Sequence, residues 1–538
     1  MRHGSRIDDG DARARQSVPP SPPCFEVTHT IDGLKSDFDA IAETGRPVAV
    51  ASRVRARRDL GSLQFIDLAP GRLDEHVQVV IDPSTLGERE AKILRTVALG
   101  DFVGVTGDCV RTRRGEPSVK ASSLTVLTRA LRSLPDFKRE AAIDPEPLAR
   151  RPELSMLLGA KRDTLRRRAK MLQALRVHLS AEGFTELEVP VLHAGLGGAE
   201  QRPLETHLKG FDEVQFLALS PELDLKRAIV GGFDRVFAIA RTFRDEGARH
   251  ELPPETTALG LQETFADART MRTSMEVLFA VACRALHGGD TRCRWQTQTL
   301  DFSPGWRRIE MLPAVAEATG LDVATLSPEG LAARCRERSL HIGFDRATSG
   351  RAGLLARLRA VGLSLPAGSP DDLPTSQLEA LLRRHHLHLP MDLHAPWNIL
   401  IAGLFERYVA PQLIQPCHVL LPPARPSVLC KEALGNPLPN GERLVDRCES
   451  YVAGMMIGHA RTEQNDPSLH RRFLEDQEQL HAEDAGIARP RNEPLIAAME
   501  HGMPPCGGLD LQIDRMAMLL TDGETLDDVI AFPFQHRD

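Results

Sequence analysis

Five short β-branched segments, separated by glycine and proline, set the strongest constraint on how this chain folds. They fall within residues 46–134, at 48–51, 63–68, 77–81, 102–105 and 119–127. Alternating apolar residues in runs of this length are typical of strands that bury one face, and the glycines and prolines mark the turns between them. Five such strands in one short stretch predict a small barrel of the OB type.

This segment is also more basic than the rest of the chain. Residues 46–150 contain 18 Lys and Arg against 14 Asp and Glu, a net charge of +4, so the remainder of a chain with total charge −7 carries −11. Phosphate contacts need clustered basic residues, and the open strand face of an OB barrel binds single-stranded nucleic acid. The pattern indicates a nucleic-acid-binding domain over 46–150, with a solvated charged face as the alternative.

Composition argues against a membrane or secreted protein. No apolar run approaches the roughly 18 residues of a membrane-spanning helix, and residues 1–17 lack the apolar centre of a signal peptide. The 9 cysteines are scattered without a CxxC pair, which argues against a disulfide framework or a zinc site. We therefore expect a cytoplasmic protein with no membrane partner.

After residue 150 the pattern changes from strands alone to mixed helices and strands. Apolar spacing predicts a helix over 161–180, and strands that lead to Pro190 and span 214–219, 236–239, 258–261 and 450–456. These elements predict an α+β domain over 151–538 with a mainly antiparallel sheet flanked by helices. Three Leu- and Arg-rich stretches predict a helical insertion at about 325–390. For residues 1–45 the sequence predicts a disordered, proline-rich tail followed by a short helical segment.

Two arginines stand out in the second domain, Arg244 after a predicted strand and Arg515 near the C-terminus. A guanidinium group binds phosphate or carboxylate through two parallel hydrogen bonds. Together with Glu222, Glu246 and Glu463, these arginines permit a site for an anion and a metal ion. Ordinary surface ion pairs are the alternative.

Several ordered motifs resemble those of class II aminoacyl-tRNA synthetases, and of the lysyl-tRNA synthetase family in particular. They are Gly-Phe-Thr-Glu-Leu-Glu-Val-Pro at 183–190, Gly-Gly-Ala at 197–199, Ser-Pro-Glu-Leu-Asp-Leu-Lys-Arg at 220–227, Phe-Arg-Asp-Glu at 243–246, Thr-Glu-Gln-Asn-Asp-Pro at 462–467 and the segment 508–533. The resemblance covers nearly the whole chain, including the barrel segment. It implies an N-terminal OB-fold β-barrel that binds the tRNA anticodon, a class II synthetase catalytic domain, and a homodimer formed through the helix and strand that end at Pro190.

The same resemblance implies an aminoacyl-tRNA ligase that uses ATP and Mg²⁺ to activate lysine or a related amino acid as its adenylate. Arg244 would bind the substrate carboxylate and the α-phosphate, and Arg515 the terminal phosphate and the adenine ring. The remaining matches are Gly198 and Glu222 for the α-amino group, Glu246 for the adenine amino group, Glu463 for magnesium, and Phe65 and Glu116 for anticodon bases. Phe65 could equally belong to the barrel core.

The amino-acid pocket departs from the family pattern. Gly260 and Gln262 stand where the family presents a glutamate and a tyrosine to the substrate ammonium. An ammonium group buried without a carboxylate partner loses several kcal/mol of binding free energy. Lysine is therefore expected to be a poor substrate unless another acid, Glu255, Glu263 or Asp510, lies beside Gly260.

The nucleotide side departs as well. Thr256 replaces a phenylalanine that stacks on adenine, at a cost of about 1–3 kcal/mol, and Leu252 and Pro253 replace polar residues. Further changes are Met456 for a metal-binding glutamate, His459 for an asparagine, Asp510 and Gln512 for glycines, and Ser62 for a lysine in the barrel. A thioether is no ligand for a hard cation, and an Asp510 carboxylate aimed at the nucleotide would repel its phosphates.

Three functions therefore remain open from the sequence. The chain could be a divergent lysyl-tRNA synthetase that still charges tRNA, or a ligase that activates a different amino acid. It could also be a degenerate synthetase that binds tRNA or regulates without catalysing the reaction. An apolar pocket beside Gly260 would favour the second function, and Asp510 in the nucleotide slot would favour the third.

Overall fold

The computed structural model describes residues 24–70, 76–132, 134, 150–157, 159–195, 203–244, 253–338, 340, 396–424, 429–435, 437–475 and 492–534. The chain divides into two compact units, Met1–Asp163 and Thr164–Asp538. Some sequence predictions lie outside the described residues: those for Gly198, Glu246 and Leu252, for the tail before residue 24, and for most of the insertion at 325–390.

The first unit contains a closed five-stranded barrel. Its elements are α1 (Ile31–Ser36), α2 (Phe38–Glu43), β1 (Val48–Asp59), β2 (Gln64–Ala69), β3 (Val77–Ile81), α3 (Glu88–Thr96), β4 (Phe102–Arg111), β5 (Pro117–Thr128) and α4 (Pro152–Leu157). The strands close in the order β1-β2-β3-β5-β4, and β3 pairs with β5 in parallel. Each of the five predicted strands overlaps one of these, so the predicted barrel is confirmed.

The barrel closes because alternate side chains along its strands are apolar and point inward. In β2, Ile66 and Leu68 are fully buried in the barrel core, whereas Phe65 is half-buried and lies outside that core. Ile31 and Leu34 of α1 add to the same core. The helices before β1 therefore pack as part of the barrel unit.

The second unit is an α+β domain. It contains, in order, α5 (Ala160–Ala181), β6 (Thr185–Glu186), β7 (Leu192–His193), β8 (Glu205–Leu208), β9 (Glu213–Leu217), α6 (Glu222–Val230), β10 (Arg235–Phe243), β11 (Glu255–Thr264), α7 (Ala268–Leu286), β12 (Arg292–Trp295), β13 (Gln298–Asp301), β14 (Arg307–Glu310), α8 (Met311–Thr319), α9 (Pro328–Glu337), α10 (Trp397–Tyr408), β15 (Cys417–Leu420), β16 (Arg447–Val452), β17 (Met455–Thr462), α11 (Glu493–Glu500), β18 (Cys506–Gln512), α12 (Ile513–Thr521) and α13 (Leu526–Val529).

Its main sheet has eight strands in the order β14-β15-β16-β17-β18-β11-β10-β6. Only the outer pairs β14–β15 and β10–β6 are parallel, as the sequence pattern of a mainly antiparallel sheet predicts. The predicted helix over 161–180 is α5, and the predicted strands at 236–239 and 258–261 lie within β10 and β11.

The two faces of this sheet differ in chemistry because side chains alternate along each strand. Leu259 and Leu261 of β11 and Leu509 and Leu511 of β18 enter the main hydrophobic core, together with residues of α7 and α12. The residues between them are polar or glycine and face the other way. Helix α6 packs over that second face.

One strand prediction is wrong. The sequence predicts a single strand over 450–456, but the chain turns back inside this range, between β16 and β17. Ala453 and Gly454 both have positive φ, at 52° and 76°. Two consecutive residues with positive φ form the tight turn that matches the twist of a β-hairpin. The turn matters for the site because it places β17 next to β18.

Among the helices of the described residues, none combines the length and the apolar character that crossing a membrane requires. All nine cysteines are free thiols.

Candidate active site

The polar face of the main sheet carries the residues that the sequence singles out. In the strand register, Gly260 of β11 lies opposite Asp510 of β18, and Asp510 lies opposite His459 of β17. Two residues further along these strands, Gly508 of β18 lies between Gln262 of β11 and Arg461 of β17. Because each strand alternates, these side chains share one face of the sheet.

Helix α6 covers this face with two charged residues. Glu222 and Lys226 are four residues apart, so their side chains lie on the same side of the helix. Both are buried, as are Arg461, Glu463 and Asp510 below them. Buried charges of this number are stable only when they are paired with one another.

The five side chains form one ion cluster. Lys226 Nζ lies 2.6 Å from Glu222 Oε1 and 2.7 Å from Glu463 Oε2. Arg461 donates from Nε to Glu463 Oε1 at 3.0 Å and from Nη2 to Asp510 Oδ2 at 2.9 Å, and Nη2 also pairs with Glu222. The cluster thus contains three carboxylates and two cations.

Neutral groups complete the hydrogen bonding of the cluster. Gln262 Nε2 donates to Glu463 Oε1 at 2.8 Å. Asp510 accepts from Ser220 Oγ at 3.3 Å and lies 3.2 Å from His459 Nε2. Burial lowers the pKa of His459 below its usual value, so the imidazole is neutral at pH 7 and donates this hydrogen bond.

The cations of the cluster set the ionisation of its acids. Burial acts to raise the pKa of Asp510, but the charge of Arg461 and the hydrogen bond from His459 outweigh it and hold the pKa of this carboxyl well below its usual range. Glu222 behaves in the same way, with Arg461 and Lys226 lowering its pKa against burial. For Glu463, burial prevails and raises the pKa.

A carboxylate does lie beside Gly260, which is the condition that the sequence analysis sets for lysine binding. A Cβ at position 260 would be 3.6 Å from Asp510 Oδ1. Glu263 instead pairs with Arg235 at 2.7 Å, and Glu255 lies 3.5 Å from Arg241. Asp510 is therefore the acid that reaches this position, but it is already bound to Arg461.

Arg244 and Arg515 belong to the same edge of the sheet. Strands β10 and β18 run in the same direction because each is antiparallel to β11, which lies between them. Arg244 directly follows β10, and Arg515 lies in the first turn of α12, directly after β18. The arrangement brings two guanidinium groups to the edge of the face that carries the ion cluster.

The start of α12 is held by the residue before Arg515. Asp514 pairs with Arg168 of α5 and accepts the backbone N–H of Thr257 at 2.7 Å. Arg515 itself donates from Nη1 to the carbonyl oxygen of Met456. These contacts fix the direction in which the Arg515 side chain leaves the helix.

Thr256, at the position where the family resemblance implies a contact with adenine, forms a hydrogen bond within the sheet. Its Oγ1 lies 2.8 Å from Thr242 Oγ1, in the opposite position on β10. A short hydroxyl that is satisfied by a neighbouring strand offers no aromatic face to a base.

Glu463 does not fit the magnesium role expected of it. Magnesium requires oxygen ligands, but both carboxylate oxygens of Glu463 are bound by Lys226 and Arg461. Met456 supplies no side-chain oxygen. We therefore assign no magnesium ligand among these residues.

A second group of metal-ligand types was not expected from the sequence. Ligand atoms of Cys283, His287 and Cys293 lie within 4.8 Å of one another. However, His287 Nε2 donates to the carbonyl oxygen of Leu520 at 2.9 Å, and Arg167 Nη2 lies 3.4 Å from the same nitrogen. This hydrogen bond leaves only Nδ1 of His287 as a possible ligand, and the guanidinium group of Arg167 beside the ring opposes a bound cation.

The barrel carries its own candidate surface. Phe65 lies on the outer side of β2, and the guanidinium of Arg58 is 5.8 Å from its ring centroid. Glu116 is exposed in the turn between β4 and β5, and Ser62 is exposed before β2. A half-exposed aromatic ring beside an arginine is suited to stacking with a base.

Sequence reasoning missed Lys226 and Arg461. Lys226 could have been found, because it follows Glu222 at helical i,i+4 spacing. Arg461 has one near partner, Glu463, two residues further on, but its partners Glu222 and Asp510 are distant in the sequence.

Comparison with known proteins agrees with the architecture. Residues 149–536 match the family model for class II tRNA synthetases (D, K and N), and residues 48–127 match that for an OB-fold nucleic acid binding domain. The chain belongs to the class II tRNA synthetase family.

Its similar relatives include several proteins named lysine--tRNA ligase. The one from Synechococcus sp. (strain CC9311) is 35% identical over 540 residues, covering 99% of each chain. That from Roseiflexus castenholzii is 35% identical over 96% of this chain and 94% of its own length. The protein from Clostridium perfringens (strain 13) is 32% identical over 94% of this chain and 90% of its own.

Proposed function

We propose that the protein is an aminoacyl-tRNA ligase of the lysyl-tRNA synthetase type, which activates an amino acid with ATP and transfers it to tRNA. The observation that carries the proposal is the placement of Arg244 and Arg515 at one sheet edge, beside a buried acidic cluster that contains Glu222. The full-length similarity to lysine--tRNA ligases supports it.

The first step is adenylate formation. A carboxylate oxygen of the amino acid attacks the α-phosphorus of ATP, the bond to the β-phosphate breaks, and pyrophosphate leaves. Arg244 binds the attacking carboxylate and the α-phosphate, and Arg515 binds the terminal phosphate. Fixed guanidinium groups stabilise the charge that develops on the phosphate oxygens in the transition state.

In the second step a ribose hydroxyl of the tRNA attacks the acyl carbon and AMP leaves. Glu222 is the acceptor that we propose for the α-amino group of the amino acid in both steps, and this group would share the carboxylate with Lys226 and Arg461. Its low pKa keeps it ionised at neutral pH. The ligase acts in the cytoplasm, with magnesium supplied to the reaction as the counter-ion of ATP.

We also propose that the active form is a homodimer built through α5 and the strand segment that follows it. Val177 of α5, and Val191 and Leu192 after Pro190, are exposed, at 64%, 44% and 42%. Exposed apolar side chains favour burial in a protein interface. Light scattering on the purified chain should give twice the mass of one subunit.

The test of the proposed function is amino-acid-dependent ATP–pyrophosphate exchange by the purified chain, with magnesium and each of the twenty amino acids. Exchange above the amino-acid-free background supports the ligase. Absence of exchange with every amino acid, while tRNA is still bound, would instead establish the tRNA-binding function that the loss of the aromatic at Thr256 favours.

The barrel gives a separate expected result. Phe65→Ala should weaken tRNA binding by about 1–3 kcal/mol, the contribution of one base stacked on an aromatic ring. Phe65→Leu is the matched variant, because it keeps apolar bulk but loses the ring face. Filter binding at fixed salt measures both. Unchanged affinity in the two folded variants would exclude Phe65 from the tRNA surface.

A further inference from the structure

The ion cluster leaves little room beside Gly260. A Cβ at this position would lie 2.6 Å from Pro221 Cγ and 3.2 Å from Leu225 Cδ1. Asp510 fills the remaining side, and its carboxylate is bound to Arg461. The space next to β11 is therefore occupied by the protein's own side chains, both apolar and charged.

Arg461 occupies this space as a cation. Its guanidinium binds Glu222, Glu463 and Asp510, and its side chain is only 3% exposed. Burial acts to lower its pKa, but the three carboxylates raise the pKa well above its usual value. The acids on this face thus already hold a permanent internal cation.

A second cation cannot be added at low cost. Lys226 and Arg461 leave one net negative charge among the three acids, and the α-ammonium group proposed to bind at Glu222 neutralises it. A second ammonium group, at the end of a lysine side chain, would then meet three cations and no acid left without a partner. An anionic side chain would find no cation left without a partner. Electrostatic repulsion at these short distances is costly in a buried site.

We propose that Arg461 is a specificity-determining residue that takes the place of a cationic substrate side chain, so that the site accepts an amino acid with a small, uncharged side chain and rejects lysine. This inference rests on the proposed function, because it assumes that the amino acid binds at Glu222. Pro221 and Leu225 set the size limit, and Arg461 with its three acids excludes charge.

The first test uses the wild-type protein. ATP–pyrophosphate exchange should proceed with a small uncharged amino acid such as alanine, serine or glycine, and lysine should give no more than background. Exchange with lysine as the best substrate would overturn the inference while supporting the proposed function. Absence of exchange with all amino acids would overturn the proposed function, and the binding test below then decides the role of Arg461.

The second test measures binding. Arg461→Met keeps the length of the side chain but removes its charge, which leaves three carboxylates with Lys226 alone. The variant should bind lysine about 10²-fold more tightly than the wild type, because the ammonium group now finds unpaired acids. Norleucine has the same carbon chain and α-ammonium group as lysine but lacks the ε-ammonium group, and it should show no such gain. Isothermal titration calorimetry gives both affinities.

A variant that keeps a hydrogen-bond donor covers the case in which Arg461→Met does not fold. Arg461→Gln removes the positive charge but keeps an amide that can donate to one of the acids. It should also gain affinity for lysine over norleucine. A folded variant that binds lysine no better than the wild type would overturn the role of Arg461.

Discussion

Arg244→Ala should lower amino-acid-dependent ATP–pyrophosphate exchange by about 10²–10³-fold, the usual loss when one fixed donor to a developing charge is removed. Arg244 lies at the end of β10 and is proposed to bind both the attacking carboxylate and the α-phosphate. Because these contacts strengthen as the new bond forms, the loss should appear in kcat rather than only in KM.

Arg241→Ala is the matched control. Arg241 lies on the same strand three residues earlier, but it is exposed and lies 3.5 Å from Glu255. Removing a surface partner of this kind costs about 0–1 kcal/mol of stability and should leave exchange unchanged. Equal exchange by the Arg244 and Arg241 variants would remove Arg244 from the proposed site.

Lys226→Met should destabilise the second unit by about 3–5 kcal/mol, because it leaves two buried carboxylates without one of their cations. Lys226 is 1% exposed and bridges Glu222 and Glu463. The loss should appear as a lower midpoint of thermal unfolding for the transition of that unit.

The barrel provides a control with the same sequence spacing. Lys92 also pairs with a glutamate four residues earlier, Glu88, at 3.0 Å, but its side chain is 72% exposed. Lys92→Met should therefore change stability by less than about 0.5 kcal/mol. Lys226→Met/Glu463→Gln should recover part of the lost stability, since it also removes one of the carboxylates that Lys226→Met leaves without its cation. Similar destabilisation by Lys226→Met and Lys92→Met would show that burial does not increase the contribution of the Lys226 ion pairs to stability.

The helices and strands that have a regular spacing of apolar residues can be predicted from the sequence. The barrel strands are short runs rich in β-branched and other apolar residues between turn residues, and α5 has helical apolar spacing, so both can be located from the residues alone. The hairpin at Ala453 and Gly454 was missed because its turn lies inside a continuous stretch, 451–457, that is apolar apart from one glycine. The only local signal was a single glycine, since alanine seldom adopts positive φ.

The chemistry of the site depends mostly on contacts between residues that are distant in the sequence. Family resemblance located Glu222 and Arg515, and the register then showed which of their neighbours are charged. Arg461 and Asp510 are 49 residues apart in the sequence, and they meet only because β17 pairs with β18 in the sheet. Glu463 does not fit the magnesium role expected of it because Lys226 of α6 and Arg461 of β17 bind its carboxylate oxygens, and of these two residues only Lys226 is distant in the sequence.

The pairing of Arg461 with Asp510 also restricts how this sequence can change over time. An arginine at 461 without an acid at 510 loses one of its three buried counter-ions, and an acid at 510 without the arginine retains only neutral hydrogen-bond donors. Each single replacement therefore passes through a less stable protein. Among homologous sequences, arginine at the first position and an acid at the second should be inherited together, as one covarying unit.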